Sequence, residues 1–241
     1  MMLGLLSDAH GNIAAFERGL ALLRAKGAER IYFLGDAVGY IPSTAVLEKL
    51  HRDAIPCLMG NHEAMMLSRR YAPEREAAYR LGEIAANLSA DTLHWVAGWP
   101  TSRTLSADGG AALLVHGSPN DPTFDYVYPD TDLKPFAHAE GAATNGEAIR
   151  AVFMGNTHRP FVRDCDGVRF VNIGSCGLPR DDGAWGSVCL YDQGENEARI
   201  LRYPIADTAQ QLRDQYPDLH AVVLEAFNRR SEGSPYGELC H

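Results

Sequence analysis

Five short apolar runs in this chain each lead into residues that can ligate a metal. Residues 2–6 precede Asp8-Ala9-His10, 31–34 precede Gly35-Asp36, and 54–59 precede Gly60-Asn61-His62-Glu63. Residues 111–115 precede His116-Gly117, and 151–154 precede Gly155-Asn156-Thr157-His158. In an extended chain, residues two apart point the same way, so Asp8 and His10 can reach one cation together. Asp36 has two carboxylate oxygens and can bridge a pair of ions. Asn61 offers an amide oxygen, and His116 and His158 offer imidazole nitrogens. Mixed nitrogen and oxygen donors suit Mn, Fe, Zn, Co or Ni better than Mg or Ca. Such a set can hold two divalent cations and act on phosphate esters.

The elements that must position these residues are strands. Each run is too short for a helix and rich in Val, Ile, Leu or Tyr, as in a buried strand. Polar residues at the carboxyl ends of such strands gather on one edge of a sheet. Residues 12–26 carry Ile13, Phe16, Leu20 and Leu23 at helical spacing and stop at Gly27. Residues 43–52 predict a second helix capped by Ser43, and 73–97 a long helix or helix pair opening on Pro73. This alternation predicts a partly parallel sheet in the first half. Beyond Gly98, strands over 101–105 and 111–115 flank an Asp108-Gly109-Gly110 turn in hairpin spacing. Residues 118–135 hold prolines and the aromatics Phe124, Tyr126 and Tyr128 without a period, which reads as a lid beside His116. Strands over 168–172, 186–191 and 198–203 and an amphipathic segment over 219–227 complete one domain spanning 1–241.

At 241 residues and 46% hydrophobic content the chain can bury one substantial core. No apolar stretch is long enough for a membrane span. No basic segment comes first, and Asp8 and His10 interrupt the opening apolar run, so the expectation is a cytoplasmic protein without a signal peptide. Five cysteines without C-x-x-C spacing argue against a disulfide framework or a structural zinc. A net charge of −9 disfavours a face for nucleic-acid duplexes, whereas small anions remain compatible with a site holding two dications. Ser118 and Ser175 lack the nucleophile-elbow context, and no Walker A or G-x-G-x-x-G loop is present.

Taken as an ordered set, Asp-x-His, Gly-Asp, Gly-Asn-His-Glu, His-Gly and Gly-x-x-His resembles the calcineurin-like metallophosphoesterase superfamily. Gly35-Asp36-Ala37-Val38-Gly39-Tyr40, Val115-His116-Gly117-Ser118-Pro119 and the stretch Gly174-Ser175-Cys176-Gly177-Leu178-Pro179-Arg180-Asp181 are similar to its small prokaryotic phosphodiesterase-like branch. The resemblance runs from Asp8 to about Tyr203. It implies an α/β fold: a four-layer α/β/β/α sandwich of two mixed sheets with helices outside. It implies one metal held by Asp8, His10, Asp36 and His158, and a second by Asp36, Asn61, His116 and position 156. His62 would be the catalytic residue, a general acid or a hydrogen-bond donor to the phosphate, with Glu63 orienting or charging its ring. The implied reaction is in-line attack on phosphorus by hydroxide generated at the metals, on a small-molecule ester, a nucleotide among the candidates.

The chain departs from the family's usual Gly-His-x-His at Gly155-Asn156-Thr157-His158. An amide donates to these metals less well than imidazole, so the second site is expected to be the weaker. That keeps an alternative open, a one-metal relative that binds or scaffolds. A protein phosphatase shares Gly60-Asn61-His62-Glu63, but Asp36-Ala37-Val38 lacks that branch's Asp-Arg-Gly. Glu63 also reads as first-turn helix electrostatics, and Asn12 as a helix cap. Arg180 reads either as a phosphate clamp or as a surface ion-pair partner. Tyr40 and Tyr126 read as packing or pocket residues, and Cys176 as a small packing residue. His51, His94, His138, His220 and His241 lie outside every motif.

Overall fold

The computed structural model describes residues 1–107, 109–137 and 147–240. Asp108 of the expected turn, together with His138 and His241, lies outside the described residues. The first half runs β1 (Met2–Leu6), α1 (Ile13–Ala25), β2 (Arg30–Phe33), α2 (Ala45–Arg52) and α3 (Asn61–Ser68), then α4 (Glu76–Tyr79), α5 (Leu81–Ala86) and α6 (Ala90–Ala97). The second half runs β3 (Ser102–Ala107), β4 (Gly110–Val115), α7 (Lys134–Ala137), β5 (Ile149–Met154), β6 (Phe161–Cys165) and β7 (Val168–Asn172). It closes with β8 (Trp185–Asp192), β9 (Glu197–Pro204), α8 (Thr208–Gln215), α9 (Ala221–Asn228) and β10 (Glu238–Leu239).

These strands form two mixed five-stranded sheets, ordered β10-β9-β8-β1-β2 and β3-β4-β5-β7-β6. Parallel pairing joins β1 to β2, and β5 to both β4 and β7, so the ligand-bearing ends fall on one edge. The expected hairpin is present, antiparallel from Ser102 opposite Val115 to Ala107 opposite Gly110. Alternation along the strands separates the layers. Leu3, Leu5, Cys189 and Tyr191 of the first sheet meet Ala112, Leu114, Ala151 and Phe153 of the second in a buried layer between the sheets. The opposite side, with Leu6, Val188 and Leu190, packs under Phe16, Leu20 and Leu23 of α1 and under the other helices. The fourth layer is thin: Val152, Met154 and Phe170 are covered by Val127, Leu133 and α7. Among the described residues no helix is long and apolar enough to cross a membrane.

Three expectations need correction. Residues 54–59 form no strand; Cys57 makes a single parallel bridge with Phe33. Leu58 N–H bonds Phe33 O, but Met59 N–H already bonds Pro100 O, and Pro56 has no N–H to extend a ladder. The long helix or helix pair expected over 73–97 is a 3₁₀ turn (Pro73–Arg75) followed by three short helices. It breaks where Arg80 adopts φ 56°, its side chain gripping Glu83 and Asp218. The second helix begins at Ala45, behind an N-cap at Thr44, with Ser43 Oγ accepting from Ala45 N–H.

Candidate metal centre

The turns that carry the donors are left-handed rather than extended. Asp8, His10, Asp36, Asn156 and His158 have φ between 49° and 64°, as does neighbouring Tyr40 at 66°. L-residues persist there only where the surroundings over-determine them, and such positions gather at functional sites. Here the ligand loops zip together: Asp8 N–H bonds Gly35 O at 2.9 Å, His10 N–H bonds Asp36 O at 3.0 Å, and Gly11 N–H bonds Ala37 O at 2.9 Å. Gly60 is required by close approach, since a Cβ on it would stand 2.2 Å from Asp36 Oδ1. Asp8 and His10 thus converge through two successive turns, not through strand alternation.

Each metal-facing imidazole is oriented from behind. The Nδ1–H groups of His10, His116 and His158 donate to the carbonyls of Val38, Leu34 and Leu178. That leaves a lone pair on each Nε2, aimed inward, as in metal-bound histidines. The Nε2 atoms of His10 and His158 face each other at 3.0 Å. His158 Nε2 lies 3.2 Å from Asp8 Oδ1, and Asp36 Oδ2 lies 3.6 Å from His10 Nε2 and 3.5 Å from His116 Nε2. Asp36 Oδ2 therefore stands between His10 and His116. The donor atoms of Asp8, His10 and His158, and those of Asp8, Asp36 and His116, each gather within 4.8 Å of one another. Asn61, the first residue of α3, brings Oδ1 to 3.1 Å from His116 Nε2.

Acceptors facing acceptors need a cation between them. Asp8 Oδ1 is buried with no hydrogen-bond partner, and among the described residues neither Asp8 nor Asp36 pairs with a lysine or arginine. An unpaired buried carboxylate is costly, so this pocket of negative charge fits divalent metal. Without metal, protons fill the role. Burial alone would lower His116, but Asp36, Asp8 and Glu63 lift it to about 10. Despite burial, the His116 and His62 imidazoles hold Asp36 well below the usual carboxylate range.

His62 is buried beside the donors, its ring 4.8 Å from His10, 5.0 Å from Tyr40 and 4.6 Å from Tyr79. Burial pushes it down to about 4, and its Nδ1 has no partner. Its backbone N–H donates to Asp36 Oδ1 at 2.9 Å. Glu63 does not orient or charge this ring. Its carboxylate accepts the backbone N–H groups of Asp36, Ala37, Val38 and Gly60 at 2.7–3.2 Å, stapling the two ligand loops together. The first-turn reading is therefore the nearer one, extended to a neighbouring loop. Burial and Asp36 raise Glu63 to about 7, against those four donors.

Asn156 sits at the rim. Its Nδ2 donates to Asp125 O at 2.8 Å and Phe124 O at 3.4 Å, tying the irregular 118–133 segment to the ligand loop. Arg180 donates to Tyr40 OH at 2.9 Å, and its backbone N–H to His158 O at 3.2 Å; it makes no ion pair among the described residues. Asn12 caps α1 through Ala15 N–H, and burial pushes the Cys176 thiol up, in keeping with a packing role. His51 stacks on Trp95, and His220 caps α9. Tyr79 is a neighbour of His62 that sequence reasoning missed, because nothing in a nominal helix marked its last residue as facing a site.

A family model for the calcineurin-like phosphoesterase superfamily domain matches residues 1–196. The chain belongs to that superfamily. Its phosphoester-hydrolase chemistry agrees with a donor set suited to divalent metal. The chain is 26% identical over 224 residues to an uncharacterised protein of Methanocaldococcus jannaschii, covering 83% of this chain and 86% of that one. A metallophosphoesterase from Sphaerobacter thermophilus superposes with TM-score 0.73 at 25% identity, over 95% of this chain and 99% of that one. A hypothetical protein from Pyrococcus horikoshii shares the fold at TM-score 0.77 and 16% identity, over 94% and 97% of the two chains.

Proposed function

We propose that this member of the superfamily hydrolyses a phosphate ester of a small molecule, as a phosphodiesterase or phosphatase using two divalent transition-metal ions. The observation that carries the reading is the convergence of three imidazole Nε2 atoms on Asp8 and Asp36, with no lysine or arginine among the described residues paired to those carboxylates. When bound, the ions supply Lewis-acid polarisation at phosphorus and acidify water. Asp8, His10, Asp36 and His158 would hold one ion, and Asp36, Asn61 and His116 the other. His62, its ring 4.8 Å from that of His10, is the group we assign to contact the phosphate or the departing oxygen, and bound substrate would have to restore the proton that burial removes. Arg180 is the nearby guanidinium that can meet a phosphoryl oxygen.

One observation favours a second reading. Asn156 is held through Nδ2, which donates to the Phe124 and Asp125 carbonyls. Its neutral amide oxygen is a poorer donor than the imidazole usual at this position, so a one-metal binding protein would share this feature. Hydrolysis of bis(p-nitrophenyl) phosphate by metal-stripped protein, with and without manganese, separates the two. Turnover that needs manganese and disappears in His158→Ala, with the variant still folded by circular dichroism, is the expected result. Silence toward both this diester and p-nitrophenyl phosphate would favour the binding protein.

A further inference from the structure

A cavity of about 400 Å³ adjoins the metal centre and is lined by Arg159, Arg180 and Arg229, with Tyr40, Tyr128 and Thr157 among its other walls. Three of its lining residues border the centre. Thr157 lies between Asn156 and ligand His158, the Tyr40 ring stands 4.9 Å from that of His10, and Arg180 is bonded to the His158 carbonyl. Among the described residues none that lines it is acidic. The carboxylates that neighbour Arg180 in sequence are engaged elsewhere: Asp181 by buried Arg202, and Asp182 by Ala184 N–H and Ser231. Among the described residues Arg159, Arg180 and Arg229 have no ion-pair partner. In a chain of net charge −9, three such arginines in one concavity call for an anion. A cation after the end of α9 complements the helix dipole, which accounts for Arg229 alone and not for the gathering.

The wall that carries Arg229 is fixed in place. Gly183 N–H bonds Arg229 O at 3.0 Å, and a Cβ on Gly183 would stand 2.3 Å from Ala226 O, so the 174–183 loop lies directly on α9. The guanidinium fork matches phosphate oxygens in pairs. We propose that this cavity binds a second, non-reacting phosphate of the substrate, so that preferred substrates carry a phosphate beyond the scissile ester. The inference rests on the hydrolase reading for its orientation, the scissile group lying at the metals.

The test is calorimetry on manganese-loaded protein with methylphosphonate and with methylenediphosphonate, metal held in excess over both. The expected result is that the diphosphonate binds at least about tenfold more tightly, and that Arg159→Ala/Arg229→Ala removes most of that advantage. Lysine at both positions should restore part of it, keeping charge without the fork. Both arginines are exposed, so the variants should retain the parent unfolding midpoint. An advantage of equal size in the alanine variant would overturn the proposal, because both phosphonates would then sit on the metals. Failure of either phosphonate to bind would overturn it too. An arginine-dependent advantage in a protein that hydrolyses no ester would leave the subsite standing and remove the hydrolase reading instead.

Discussion

The buried carboxylates of this centre differ in what surrounds them. Asp8 and Asp36 face imidazole nitrogens, whereas Glu63 faces backbone N–H groups from both ligand loops. Glu63→Gln keeps the size but turns an amide donor toward N–H donors. We expect it to lower the unfolding free energy by about 2–4 kcal/mol and to weaken manganese binding, since Asp36 loses the clamp on its own N–H. Urea unfolding in EDTA, paired with a manganese titration, checks both; an unchanged midpoint would mean the loops hold without the clamp. The ligand types were legible at this scale, because Asp, His and Asn announce their donors by identity. What Glu63 does was not, because three of its four partners are backbone groups 25 to 27 residues away and leave no mark in composition.

The loop over 174–181 supplies the carbonyl behind His158 and the guanidinium of Arg180, and it is anchored from β9. Arg202, with its side chain fully buried, donates to both oxygens of Asp181 and to the carbonyls of Gly186, Trp185 and Tyr236. Removing one partner of such a pair strands the other, so Arg202→Ala should cost about 3–5 kcal/mol in thermal or urea unfolding. A loss below 1 kcal/mol would mean that water replaces the guanidinium at little cost. Strands β8 and β9 were readable from the sequence as two strand-like segments in hairpin spacing, whereas residues 54–59 were not. An apolar run with an internal proline can extend a sheet or merely touch it, and only the neighbouring Pro100 carbonyl chose. Similarly, the break at Arg80 depends on Asp218, far along the chain.

For the molecule as a whole, the metal centre sits where both sheets deliver their loops, so metal binding and folding are linked. Manganese at about 100 times its dissociation constant should stabilise the fold by about 2.7 kcal/mol, and EDTA should reverse it. For a chain of this size that corresponds to a rise of roughly 5–10 °C in the unfolding midpoint. A midpoint indifferent to manganese, followed by differential scanning fluorimetry, would count against any metal site here.

The sequence by itself determined the candidate donor types, their order, four of the five strand ends expected to bear them and the family to which the chain belongs, because each is a local property of residue identity and period. The tertiary structure decided which donors meet. His10 and His158 are 148 residues apart, and their Nε2 atoms approach only because a loop after β1 of one sheet meets a loop after β5 of the other. It also decided that Glu63 serves the backbone, that Asn156 turns to the Phe124–Asp125 carbonyls, and that three arginines from separate segments share one cavity. These depend on packing between distant segments, and no local pattern encodes that.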